Sequence, residues 1–182
     1  MAKSAFYTEI PFWAAVASLV WNFFNFIYTK RAQTKLRQAT TNLDEFRSQI
    51  REPISEALRS LKGIKSDAHG LMLSSSAVSE RKEEMIKINK AFARDFGLLQ
   101  DALSNANKSS FASGEDWLHG IDDLQDDCLS QLDRATSPGR PDSDFDAAVN
   151  MFCSSIEKID SHVNKRLELE VKRIRDGSSD PS

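Results

Sequence analysis

Cysteine is scarce. Two residues in 182, Cys128 and Cys153, exclude a disulfide-dense fold or a cysteine-clustered metal protein. Seven glycines and five prolines are too few for a collagen-like or low-complexity chain. The sequence has no phosphate-cradling glycine loop, no G-x-S-x-G elbow and no zinc-finger spacing. Its three histidines, His69, His119 and His162, are too scattered for an H-E-x-x-H site. Basic residues have no interleaved aromatics on which bases would stack, so no nucleic-acid partner is expected. No segment alternates with period two for long enough to make a strand. These absences leave no catalytic set, and the reading is a non-enzyme with no cofactor and no bound metal.

What is present is apolar and charged in blocks. At 40% apolar and 28% charged residues the chain can bury a core. The charges are kept out of one stretch, from Ile10 to Thr29, which reads IPFWAAVASLVWNFFNFIYT, twenty residues without a charge. As a helix it spans about 30 Å, the thickness of a bilayer core. Nine of its residues are Leu, Ile, Val or Phe. At the midplane these contribute on the order of −3 to −5 kcal/mol toward insertion. Asn22 and Asn25 oppose it near the C-terminal end, where polar groups reach the interface. The apolar run is longer than a signal-peptide core, and its small residues, Ala14 to Ser18, lie inside it, against a cleaved leader. The expectation is a single transmembrane helix over 10–29, with Phe12, Trp13, Leu19, Trp21, Phe23, Phe24, Ile27 and Tyr28 as its lipid-facing anchor. A buried helix of a soluble domain is the alternative.

Flanking charge sets the expected orientation. Lys30, Arg31, Lys35 and Arg37 follow the run with no acid before Asp44, whereas Lys3 before it is countered by Glu9. The positive-inside bias places 1–9 outside and the remainder in the cytoplasm, where those four cations meet an anionic leaflet. Within the run, Ser18, Asn22 and Asn25 fall at i, i+4 and i+7 and share one helix stripe. A polar stripe in lipid favours association with another helix, so these three are expected to join the anchor to a copy of itself or to a partner.

Beyond the run, apolar residues recur with gaps of three and four. Leu36, Ala39, Leu43, Phe46 and Ile50 form one stripe, Ile54 to Leu71 resume it after Pro53, and Met85 to Ala106 form the next. A third stripe is Trp117, Ile121, Leu124, Cys128 and Leu132, preceded by Ser113 and Asp116 in a capping-box-like pattern. Phe145 to Ile174, through Leu167 and Val171, is the fourth and most regular. The fold class expected is all-α: an N-terminal transmembrane helix, an antiparallel cytoplasmic bundle of about four helices over 30–176, and a disordered tail at 177–182. Pro53 either kinks the chain or reverses it; with no residues left for a turn between Glu52 and Ile54, the kink is preferred.

Charge is lopsided along the chain. Residues 30–65 hold nine bases and four acids, whereas 109–150 hold two bases and ten acids. Among the acids, Asp122, Asp123, Asp126 and Asp127 stand on helical spacing, and Asp122 to Asp126 spells D-D-x-x-D. That pattern resembles the diphosphate-binding helix of prenyl synthases and terpene cyclases, which implies Mg²⁺ held on substrate phosphates. The resemblance covers five residues, and the second metal motif and large cavity of such enzymes are not found. The four aspartates are therefore read as an exposed acidic surface for a basic partner. Cys128 follows an Asp pair, which raises a thiol pKa and does not suit a nucleophile.

The functional expectation is a membrane-anchored helical scaffold or adaptor that self-associates or holds a protein partner at the membrane. The alternative is a membrane-perturbing or channel-forming effector whose bundle gates assembly of the anchors. A metal-dependent enzyme using the acidic helix over 115–134 is the weaker alternative.

Overall fold

The computed structural model describes residues 6–111, 116–137 and 143–176, with side chains from Trp13 onward. The chain divides into two compact units, Met1–Asn42 and Leu43–Ser182. All described elements are helical: α1 Phe6–Phe46, a π-helical turn Arg47–Arg51, α2 Glu52–Leu73, α3 Val78–Lys108, α4 Ile121–Thr136 and α5 Ser143–Arg175. The sequence expectation of an all-α chain with a four-membered bundle matches this architecture.

Pro53 explains the π turn. It occupies the first turn of α2, and residues 46, 51 and 52 all keep right-handed helical dihedrals, so the chain continues through it without reversing. A proline ring inside a helix clashes with the carbonyl four residues back and supplies no N–H. One wider turn relieves both problems, and the Glu52 N–H bonds the Arg47 carbonyl five residues earlier.

The bundle is built by helices that each bury one stripe. α2 buries Ile54, Leu58, Leu61 and Ile64, α3 buries Met85, Phe92, Phe96, Leu99 and Leu103, and α5 buries Phe145, Val149, Phe152, Ile156, Ile159 and Val163. Phe92 centres the core, 5.5 Å from the Phe96 ring and 5.4 Å, edge to face, from Phe152. Cross-helix pairs fix the directions. Lys62 meets Asp160 while Lys65 meets Glu157, so α2 and α5 run antiparallel. Gln100 near the end of α3 meets Gln125 near the start of α4, and Arg134 near the end of α4 meets Met151 early in α5. The result is an up-down-up-down bundle. The short link 74–77 is held by Ser74 Oγ, which accepts from the Ser76 N–H at 3.2 Å.

Three expectations need correction. The third helix begins at Ile121, not near Trp117, because Gly120 takes a left-handed conformation (φ 75°) that ends any earlier helix. Of the expected capping box, Ser113 lies outside the described residues; Asp116 instead accepts the Leu118 N–H at 2.9 Å and an amide N–H of Asn107. On α5 the buried position after Leu167 is Glu170, with Val171 only partly covered.

α1 is the element on which expectation and structure part. Among the described residues no helix is long and apolar enough to cross a membrane. From Trp13, where described side chains begin, the uncharged run to Thr29 holds Asn22 and Asn25 and then meets Lys30 and Arg31. Its stripe is also covered over a shorter length than expected: Leu36 is exposed and Ala39 half-buried, whereas Leu43 packs partly on the core and Phe46 and Ile50 are buried. The expected 1–9 segment and 177–182 tail have no described side chains.

Candidate functional site

The most unusual surface is that of α1 between residues 13 and 28. Trp13, Leu19, Val20, Trp21, Phe23, Phe24, Phe26 and Tyr28 are each exposed, from 49% at Val20 to 76% at Tyr28, and Val16 and Ile27 are half-buried. At about 100° per residue these side chains cover most of the helix circumference. Water does not tolerate so many uncovered aromatic rings on one element without cost, since each buries on the order of 150–250 Å² when packed. Of the expected anchor set, Phe12 has no described side chain. The polar trio Ser18, Asn22 and Asn25 is exposed on one stripe, as the spacing required.

The four cations follow at once. Lys30, Arg31 and Lys35 surround a shallow surface recess floored by Ile27 and Thr34, and Lys30 Nζ lies 5.5 Å from the centre of the Phe26 ring. That geometry lays the Lys30 side chain back along the helix over the last aromatic turn, with its ammonium against the Phe26 ring face. Arg37 is exposed one turn on.

Among the described residues the acidic helix gathers no set of metal ligands. Asp122, Asp123, Asp126 and Asp127 are all exposed on α4, and no group of three or more His, Cys, Asp or Glu among the described residues is placed to hold a metal ion. Asp122 receives a long 3.4 Å contact from Gln100 Nε2, whose better bond is to Gln125 Oε1 at 3.2 Å. The D-D-x-x-D likeness thus has no second set of ligands beside it.

Both thiols are inert by burial. Cys128 is fully buried, and desolvation, with the Asp127 charge adding to it, pushes its pKa from the ordinary 9.0 up to about 12. Cys153 is 7% exposed, its thiol pushed up by burial, and its Sγ sits 3.7 Å from the Lys65 carbonyl. Burial thus disfavours the thiolate, the nucleophilic form, at both positions.

A buried ionic cluster was not anticipated from the sequence. Glu170, 3% exposed, lies 3.0 Å from Arg173 Nε and 3.7 Å from Arg166 Nε. Arg166 stacks over the Trp117 ring at 5.3 Å, and Arg173 Nη2 donates to the Phe111 carbonyl at 2.7 Å. Phe111 in turn meets Phe46 edge to face at 5.8 Å. The cluster latches the α3–α4 connection and the start of the bundle onto α5, a structural task. Its sequence signal was available: Val163, Leu167, Glu170 and Ile174 keep the four-three-four spacing, which puts a carboxylate on the core stripe.

Between α2 and α5 a groove is lined by Lys62, Lys65, His69, Asn150, Glu157 and Asp160. The Lys65 ammonium holds the Glu157 carboxylate below its usual range, and Glu157 raises Lys65 reciprocally. The Lys62–Asp160 and Lys65–Glu157 ion pairs span the groove, which Ser66, Cys153 and Ser154 also line. Comparison with family models, with characterised proteins and with solved structures finds no match.

Proposed function

We propose that this protein is a membrane-anchored helical scaffold: α1 seats residues 10–29 in the bilayer, and the four-helix bundle presents surfaces on the cytoplasmic side to itself or to a protein partner. The observation that carries the reading is the girdle of exposed aromatic and aliphatic side chains from Trp13 to Tyr28. The bundle's own core is complete without them. A lipid environment removes that surface from water at no cost in packing partners.

The run from Trp13 alone is short and diluted by Asn22 and Asn25. In the sequence it is extended upstream by Ile10, Pro11 and Phe12. Lys30, Arg31, Lys35 and Arg37 support the orientation, each adding about 1 kcal/mol of attraction to an anionic leaflet when close to it. At the end of the bundle where the chain arrives, Arg51 on the π turn shares a groove with Lys172 and Arg175 from the end of α5. Glu168 and Asp176 line the same groove, so that end carries charges of both signs, and α4 exposes its aspartates.

The scaffold reading is tested by extracting membranes from expressing cells at alkaline pH, then crosslinking the retained fraction in situ and identifying the products by mass spectrometry. Retention in the pellet with discrete crosslinked species supports it. Release into the supernatant, or retention with only monomer, counts against it. A membrane-perturbing role has one observation in its favour, the polar stripe on an otherwise apolar helix. Dye release from liposomes that disappears in Asn22→Leu combined with Asn25→Leu selects that role over a passive scaffold.

A further inference from the structure

The two stripes on α1 are one seam. Taken with the residues between them, Ser18, Asn22, Asn25, Thr29, Ala32, Leu36, Ala39 and Leu43 follow one another with strictly alternating gaps of four and three, and the same spacing carries on to Phe46 and Ile50. This is the heptad period of a coiled coil, in which alternate core positions face a partner helix. At its C-terminal end the seam is already occupied: Phe46 and Ile50 are buried in the bundle, and Leu43 is partly so. From Ser18 to Leu36 every member is exposed, Leu36 at 69%.

We propose that the seam from Ser18 to Ala39, exposed as far as Leu36, packs on the same seam of a second copy of this chain, as a parallel, in-register pair of α1 helices. This deepens the scaffold reading by naming the partner, and it rests on that reading for the part of the seam placed in lipid.

Three features favour a second copy. First, the seam is self-complementary. In a parallel pair Asn22 faces Asn22 and Asn25 faces Asn25, and each amide brings both a donor and an acceptor, so both are satisfied by symmetry. Asparagine at a core position is the residue that fixes register in parallel pairs. Second, the charges are placed off the seam. In its numbering Lys30, Arg31 and Arg37 occupy outer positions, and only Lys35 flanks the contact, opposite the uncharged Thr40 of the neighbouring copy. Two net-basic helices therefore approach without a like-charge clash. Third, the small side chains Ser18 and Ala32 permit close backbone approach. The pair also accounts for the weak apolarity of α1 as a lone helix, because the asparagines that dilute it are covered when two copies meet.

The test is cysteine scanning of the full chain in native membranes. Cys128 and Cys153 are buried, so the unmodified chain serves as the background. Ala32→Cys, Leu36→Cys and Ala39→Cys place thiols on the seam, and Thr34→Cys and Thr41→Cys place them on the opposite face. Under mild oxidation the three seam variants are expected to form dimers of twice the monomer mass, each with itself, and the two others are expected to remain monomeric. Adding Asn22→Leu and Asn25→Leu to Leu36→Cys is expected to lower dimer yield, about tenfold in dissociation constant for 1.4 kcal/mol. Equal crosslinking at all five positions, or none at the seam, overturns the proposal. Crosslinks only between different seam positions also overturn it, since they report an antiparallel pair. Alkaline extraction of the same samples separates the two readings. Periodic crosslinks in a protein released from membranes leave the seam standing and remove the anchor; a retained protein without periodicity does the reverse.

Discussion

At the scale of single residues, the side chains that matter most are those whose neighbours cannot rearrange. Phe92 has no exposed surface and lies against Phe96 and Phe152. Phe92→Ala is expected to destabilise the bundle by about 3–5 kcal/mol, read from the midpoint of urea unfolding. Glu170 is the polar counterpart. Glu170→Ala removes the buried carboxylate between the half-buried Arg166 and Arg173 and is expected to cost about 1–3 kcal/mol, with Glu170→Gln milder because it retains an acceptor. The exposed pair Lys65–Glu157 offers the contrast: exchanging the two residues should leave the unfolding midpoint unchanged within error. Cys128 gives a pH signature. Its folded pKa stands near 12, above the 9.0 of a free thiol, so the folded state holds its proton more tightly. Its contribution to stability is complete below about pH 9 and is lost as pH rises from there toward 12. A thiol reagent at pH 8 is expected to label it at the rate of unfolding, and Cys128→Ser should flatten the alkaline slope.

At the scale of elements, spacing in the sequence was a dependable guide wherever the core decided the outcome. The stripes of α2, α3 and α5 are buried at most of the positions their periods mark, with Leu71, Ile88 and Val171 only partly covered. Spacing failed where a local backbone state overrode it. Trp117 fits the period of α4 yet sits in a turn, because Gly120 in the left-handed region interrupts the helix. A Cβ there meets only His162 Cε1 at 3.6 Å, so the obstacle is conformational and not steric. Gly120→Ala is expected to cost about 1 kcal/mol and to show it as a lower thermal midpoint without loss of helical signal. Glu170 was missed for a different reason: a charge on a regular stripe looks like an outward position until the arginines one turn either side are seen to cover it. The π turn at Arg47–Arg51 follows from Pro53, although its width was not legible from the proline alone.

At the scale of the whole molecule, two units with different surfaces are joined by one chain. The bundle hides most of its apolar residues, with scattered exceptions such as Leu73, Leu98 and Leu169; α1 displays its own from Trp13 to Tyr28 in one block. The acidic face of α4 and the bases of α1 lie on different units, and among the described residues no second ligand set joins D-D-x-x-D. The anchor was the part of the reading most dependent on environment, since a sequence and a lone chain contain no lipid. Its central claim has a direct probe in the three tryptophans. Trp13 and Trp21 are exposed on α1, and Trp117 is 3% exposed in the bundle. In single-tryptophan variants reconstituted into vesicles whose acyl chains carry bromine at mid-depth, Trp21 emission is predicted to be strongly quenched and blue-shifted while Trp117 is unaffected. A Trp21 that emits as in water and is quenched no more than Trp117 contradicts the account.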